Sequence, residues 1–159
     1  MVFWFIVIVG GATVATTLSQ LPLHVATHFG ASGAPNAWSS RAGYVTLLVV
    51  VGLLLPVGIV QMVAWIGARR PELLNVPYRT YWLEPAHRAE GLWRIQRHMW
   101  WLACLMAGLA LGIHFLLLQA HEATPPQLHT GPFFGVLAAF LAGLAIWIAA
   151  FYKLLRPPA

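Results

Sequence analysis

Residues 99–119 read MWWLACLMAGLALGIHFLLLQ, an apolar run that contains no Asp, Glu, Lys or Arg. An α-helix rises about 1.5 Å per residue, so a helix of this length spans roughly 30 Å, the thickness of the hydrocarbon layer of a bilayer. Apart from Gln119 at its end, the only strongly polar side chain in the run is the imidazole of His114. The stretch therefore predicts a helix that crosses a membrane.

Three further apolar runs of similar length lie at residues 2–20, 43–68 and 132–152. They account for a composition that is 60% hydrophobic and only 8% charged, whereas soluble domains carry roughly 25% charged residues. The first run lacks the basic start of a secretory signal peptide, so we interpret it as a span. The sequence predicts an all-α polytopic membrane protein, a four-transmembrane-helix bundle formed by one integral domain over residues 1–159.

The placement of basic residues predicts the orientation of the bundle. Eight of the nine Lys and Arg residues lie in segment 69–98 or after the fourth run, and only Arg41 lies on the other side. Basic residues near span ends are retained in the cytoplasm. We therefore expect both termini and segment 69–98 to be cytoplasmic and the loops Leu21–Ala42 and Ala120–Gly131 to face outward. This topology explains the net charge of +5, so the predicted partner is the lipid bilayer and not a nucleic acid.

Segment 69–98 carries a helical pattern of its own. Glu84 and Arg88, and then Glu90 and Arg94, are spaced i,i+4 with the acid first, which stabilises a helix. The pattern predicts an interfacial amphipathic helix before span three. Its basic and aromatic residues form a predicted cytoplasmic interaction surface, although an ordinary connector fits equally well: Arg69, Arg70, Tyr81, Trp82, Arg88 and Arg94.

The polar content of the spans limits the possible mechanisms. Ion pumps and proton-coupled carriers need charged groups inside the membrane, and the middle of each span here has none. His114 is expected to form a hydrogen bond to a neighbouring helix. Pro56 is expected to kink span two, and Gly108 and Gly112 are expected to allow close helix packing.

The outward loops carry the only cluster of residues with possible catalytic or metal-binding chemistry. Imidazoles and a carboxylate are ligands for zinc or copper, and the candidate set is His28, His121, Glu122 and His129. Their spacing matches no metal-binding motif, so two unconnected polar loops remain the alternative. Nothing else in the sequence predicts a cofactor. The chain has no Asp and no G-x-S-x-G motif, so a non-enzymatic protein is favoured over an enzyme.

The first outward loop also carries a family resemblance. Its pattern is Leu21-Pro22-x5-His28-Phe29-x3-Gly33-x-Pro35-Asn36-x-Trp38-x2-Arg41. It resembles the bacterial membrane domain of unknown function numbered 1648, which occurs alone and at the N-terminus of SdpI-type toxin-immunity proteins. Two positions depart from the family pattern, with Ala26 in place of a proline and Ala37 in place of a glycine. The resemblance implies a stand-alone four-span protein of the bacterial cytoplasmic (inner) membrane. It also implies an outer ligand-binding loop built on His28, Gly33, Asn36 and Trp38.

Three functional interpretations follow. The favoured one is a peptide-toxin immunity or envelope-signalling protein, whose outer loop engages a secreted peptide. The second is a metal-dependent membrane enzyme or metal handler that uses the outward histidines. The third is an accessory subunit of a larger membrane complex. The sequence does not indicate an oligomeric state.

Overall fold

The computed structural model describes residues 1–158, and within them four helical segments are long and apolar enough to cross a membrane. The first is α1 (Val2–Thr17), which a 3₁₀ turn extends to Gln20. The second comprises α2 (Arg41–Val49), a π-helical turn (Val50–Leu54) and α3 (Leu55–Arg69). A short helix α4 (Arg79–Leu83) precedes α5 (Arg88–Ala120) and α6 (Thr130–Leu154). The predicted helical membrane fold with four spans is confirmed.

Helix α5 is the centre of the bundle. It packs against α1, α3, α6 and the π-helical turn. The last helix, α6, has its main contacts with α5 alone. The 33 residues of α5 extend over about 50 Å, well beyond the predicted span 99–119. From Arg88 onward, the segment of the predicted interfacial helix is the first part of α5 and runs continuously into span three. We call the end of the bundle that carries Arg88 and the C-terminus the arginine-rich end.

The second span contains a π-helical turn immediately before Pro56. Proline has no backbone N–H and its ring collides with the carbonyl four residues earlier, which disrupts an α-helix. A π-helical turn shifts the hydrogen-bond register locally and so accommodates the proline. The helix then continues to Arg69, and Pro56 is buried against the bundle.

The loop after α1 folds into a β-hairpin. Strands β1 (His24–Phe29) and β2 (Pro35–Ser40) pair antiparallel, with Ala26 opposite Trp38 and His28 opposite Ala37. This register leaves Thr27 as an extra residue, a β-bulge, in β1. The sequence predicts a loop here, so the hairpin adds a β element to the helical fold. We call this end of the bundle the hairpin end.

Candidate functional site

Arg41 at the start of α2 holds the base of the hairpin through hydrogen bonds. Its guanidinium donates to the carbonyl oxygens of Leu21 and Pro22, the latter at 3.3 Å, and its backbone N–H donates to the carbonyl of Leu23 at 2.9 Å. Leu21 and Val25 are fully buried in a cluster with residues of α2 and α5. The hairpin is therefore packed against the helical bundle.

The tip of the hairpin contacts the loop between α5 and α6. Gly33 has φ of 79°, a left-handed conformation that favours glycine. Its carbonyl accepts from the N–H of Leu128 at 2.9 Å, and the Gln127 side chain donates to the carbonyl of Ser32 at 2.8 Å. A Cβ at position 33 would collide with the Leu128 carbonyl. The hairpin and the loop between α5 and α6 thus form one cap over this end of the bundle.

His121 joins the hairpin to the end of α5. Its Nε2 accepts from the backbone N–H of Ala26 at 3.0 Å, and its Nδ1 lies 2.8 Å from the carbonyl oxygen of Leu117. A carbonyl only accepts, so Nδ1 carries the proton and donates, and both ring nitrogens are occupied. His121 has no lone pair left for a metal ion.

The other members of the predicted metal set do not gather around His121. His28 is exposed and donates from Nδ1 to the side-chain oxygen of Asn36 across the hairpin, while Glu122 and His129 are exposed in the second loop. Within residues 1–158, no group of three or more His, Cys, Asp or Glu residues is placed to hold a metal ion. The set predicted from the sequence is therefore not assembled in this structure.

A cavity of about 420 Å³ lies between the hairpin and the bundle. One wall comes from β1 and the turn after it, and includes His28 and Phe29. The opposite wall comes from α5 and from the start of α6, and includes Ile113, Leu117 and Phe133. Its volume is in the range of small-ligand sites, and its lining is apolar with one imidazole at the edge. Of the predicted ligand-binding loop, His28 lines the cavity. Asn36 forms a hydrogen bond to His28, and Trp38 is exposed on β2.

A buried hydrogen-bond chain lies beneath this cap. His114 is fully buried, with its Nε2 2.8 Å from the Thr17 hydroxyl and its Nδ1 2.7 Å from the Tyr44 hydroxyl. The Thr17 hydroxyl is 2.7 Å from the carbonyl of Thr13, and its single proton is satisfied there. His114 therefore donates from Nε2 to Thr17 and accepts at Nδ1 from Tyr44. The predicted interhelical bond of His114 is confirmed, and it joins α1, α2 and α5.

Trp82 and Arg94 hold the C-terminus of α6 at the arginine-rich end. The Trp82 indole donates to the carbonyl of Leu155 at 2.5 Å, and the Arg94 guanidinium donates to the carbonyl of Leu154 at 3.0 Å. These carbonyls belong to the last turn of a helix, which has no intrahelical donors for them. Arg94 also lies 5.0 Å from the Trp82 ring and bonds to Glu90 at 3.0 Å. Because Trp82 is only 1% exposed, its assignment to an exposed interaction surface is corrected.

The remaining residues of the predicted cytoplasmic surface have mixed positions. Arg88 donates twice to the carbonyl of Leu83, and Tyr81 stacks on His87 at 4.0 Å between ring centroids. Arg69 and Arg70 are exposed, and Arg70 bonds to Glu72 at 2.8 Å. A backbone hydrogen bond, together with the Arg70 guanidinium, lowers the pKa of Glu72 below its usual value. Arg69, Arg70 and Arg88 are therefore all exposed, and of these three only Arg69 makes no side-chain hydrogen bond within residues 1–158.

A second histidine, His98, connects α5 to α6. Its Nε2 donates to the carbonyl of Trp147 at 3.0 Å, and the Trp147 indole donates back to the carbonyl of His98 at 3.1 Å. The two rings stack at 4.8 Å, and Phe151 stacks on His98 at 5.2 Å. Sequence reasoning missed His98. The available signal was a histidine near the start of span three and a tryptophan near the end of span four.

Comparison with known protein families gives a match in the N-terminal part of the chain that includes the hairpin. Residues 5–53 match the model of the family described as Domain of unknown function (DUF1648). The match covers about a third of the chain and confirms the resemblance carried by the loop between the first two spans. No curated protein and no solved structure matches the chain.

The residues that carry the DUF1648 resemblance have identifiable positions in the hairpin cap. Leu21 is buried, Arg41 binds its carbonyl, and Gly33 forms the left-handed turn that docks on Leu128. His28 and Asn36 pair across the strands. The pattern therefore describes a folded cap and not a flexible loop. Sequence reasoning identifies His114 but neither of its partners, Thr17 and Tyr44.

Proposed function

We propose that this protein binds an apolar or amphipathic peptide at its hairpin end, on the outer side of the membrane. In this proposal it acts in peptide-toxin immunity or envelope signalling and not as an enzyme. The observation that carries the proposal is the cavity of about 420 Å³ between the hairpin and helices α5 and α6. A site walled by two elements of the cap and two of the bundle is suited to hold a ligand that enters from the membrane edge.

The cap favours a peptide over a lipid as the ligand. The hairpin has only two strands, so each strand has one edge whose backbone groups are not paired with another strand. An extended peptide adds to such an edge through main-chain hydrogen bonds and places alternate side chains in a neighbouring pocket. Trp38, half exposed on β2, offers an aromatic contact beside that edge.

The packing of α6 supports a signalling role for the same site. Residue Phe133 lines the cavity near the start of α6, and the last turn of α6 is held by Trp82 and Arg94 at the other end of the bundle. Between them, the paired bonds of His98 and Trp147 connect α6 to α5. A ligand in the cavity would therefore contact the helix whose other end is held by Trp82 and Arg94.

An accessory-subunit role remains the second candidate. Across the 25 described residues of α6, none is buried, so the helix exposes a face along its whole length. A larger membrane protein would find a contact surface there. The cavity gives the peptide-binding proposal a more specific site.

The proposal predicts binding that depends on the space in the cavity. We would replace Cys104 with alanine, place a single cysteine at Ala31 on the cavity edge, and label it with an environment-sensitive fluorophore. The protein in nanodiscs is titrated with a synthetic amphipathic Leu/Lys peptide, a Gly/Ser peptide of equal length, and a lysophospholipid. We expect a saturable emission shift with the Leu/Lys peptide alone.

Substitutions then locate the binding site. Filling the cavity by Ile113→Trp is expected to weaken binding roughly 5- to 150-fold, because overpacking costs about 1–3 kcal/mol. The matched control is Ile146→Trp, at an exposed position of α6 outside the cavity, which should leave binding unchanged. Equal affinity for both variants would overturn the proposed site. A saturable response to the lysophospholipid but not to the peptide would overturn the proposed ligand class.

A further inference from the structure

The amide side chain of Gln61 lies inside a span without a hydrogen-bond partner in the part of the chain that the structure describes. Gln61 lies in α3, eight residues before Arg69 and so about 12 Å along the helix from the charged end of the span. This depth is within a hydrocarbon layer of about 30 Å. The side chain is exposed on the outside of the bundle and makes no hydrogen bond within residues 1–158.

The threonine hydroxyls and the histidines within the spans are satisfied by the chain itself. The hydroxyls of Thr13, Thr16 and Thr46 each donate to a carbonyl of their own helix. His114 and His98 bond to neighbouring helices. An amide carries two N–H donors and an acceptor, and leaving these unpaired in hydrocarbon is costly. Gln61 therefore requires a partner that the single chain does not supply.

The surface around Gln61 is arranged as a helix-packing seam. Exposed residues recur along this side of the second span at spacings of four, three, four and three: Leu54, Gly58, Gln61, Trp65 and Ala68. This is the a/d spacing of left-handed coiled coils and of many membrane helix pairs. The residues of α3 that are buried in the bundle lie at other positions, Pro56, Val60 and Gly67. Helix α3 thus has one seam that packs against α5 and a second seam that faces away from the bundle.

Two properties of this outer seam fit a second copy of the same chain. Two copies inserted in the same direction are related by an axis along the membrane normal, so identical residues meet at the same depth. An amide both donates and accepts, so Gln61 can bond reciprocally to the same residue of the second copy. A Cβ at Gly58 would meet no atom within 4 Å, so the backbone there is open to close approach.

We propose that the protein forms a two-fold dimer through α3, in which the Gln61 side chains of the two copies hydrogen-bond to each other. At the charged end of the seam, Arg70 is paired with Glu72 at 2.8 Å, and the exposed Arg69 follows Ala68 outside the seam positions. The dimer leaves the hairpin cap and its cavity free, since neither contributes a residue to the seam. Self-association is therefore independent of peptide binding.

The test measures dimerisation of the full chain in liposomes as a function of lipid dilution, by single-molecule photobleaching. We expect a dimer whose dissociation constant rises roughly 3- to 30-fold in Gln61→Leu, the range for hydrogen bonds between membrane helices. Gln61→Asn should retain most of the association, and Gly58→Ile should weaken it by blocking close approach. Gln61 and Gly58 are exposed, so these variants are expected to fold normally. Ile146→Ala, on the exposed face of α6, is the control that should change nothing.

Cross-linking then identifies the surface. In a Cys104→Ala background, a cysteine at Trp65 should form a disulfide between two copies of the 17.5 kDa chain, and a cysteine at Ile146 should not. A monomer at every lipid dilution, or a dimer unaffected by Gln61→Leu and Gly58→Ile, would overturn the proposal. Cross-linking from position 65 in cells to a product other than a dimer of this chain would assign the seam to another membrane protein and also overturn it.

Discussion

Replacing Trp82 with alanine is expected to lower the free energy of unfolding by about 3 to 5 kcal/mol, the usual cost of removing a buried tryptophan. The ring is 1% exposed in the main hydrophobic cluster and packs against Gly91, where a Cβ would come within about 3.0 Å of it. Its indole also satisfies the carbonyl of Leu155. The measurement is equilibrium unfolding in detergent with increasing SDS.

Two variants separate the causes of this loss. Trp82→Phe keeps most of the ring but removes the N–H donor, so it should cost about 1 to 3 kcal/mol, the penalty for an unsatisfied buried group. Trp93→Ala removes a tryptophan that is 56% exposed and should cost much less than Trp82→Ala. If Trp82→Ala and Trp93→Ala were equally mild, Trp82 would not hold the end of α6 as described.

Replacing His114 with alanine is expected to cost about 2 to 4 kcal/mol. The loss combines a cavity at a fully buried position with two interhelical hydrogen bonds, each worth about 0.6 to 1.7 kcal/mol in membrane proteins. The Tyr44 hydroxyl then loses its acceptor while it remains buried. The same unfolding measurement in detergent gives the value, with His24→Ala, at an exposed strand position, as the near-neutral control.

A double-mutant cycle tests the chain of hydrogen bonds directly. Tyr44→Phe should destabilise the wild-type protein but stabilise the His114→Ala variant, because it removes a buried hydroxyl that has lost its acceptor. Additive losses for Tyr44→Phe and His114→Ala would show that the two side chains do not act as one unit.

The spans could be predicted from the sequence because their signal is local. Hydropathy and length alone identify an apolar helix such as residues 99–119, and they do not depend on what the helix packs against. The confirmed bond of His114 follows the same logic, since a polar group in hydrocarbon requires a partner. The identity of that partner, Tyr44, depends on the packing of α2 against α5 and has no local signal.

The hairpin and the role of Trp82 also lack a local signal in the sequence, so they could not be predicted. The strand His24–Phe29 contains two histidines and a bulge, and its pairing is stabilised by contacts with Arg41, His121 and Leu128 that are distant in the sequence. Trp82 lies in a polar segment rich in arginine, where an aromatic residue is typical of a membrane interface. Its burial depends on α6, which begins almost fifty residues later.

Membrane sidedness is the most direct test of the central claim, that the hairpin end is an outward-facing binding cap. In a Cys104→Ala background, single cysteines are placed at Ser32 on the hairpin and at Ala86 at the arginine-rich end, both exposed. Intact cells are then treated with a membrane-impermeant maleimide. The account predicts labelling at position 32 in intact cells and at position 86 only after permeabilisation. Labelling at position 86 but not at position 32 in intact cells would contradict it.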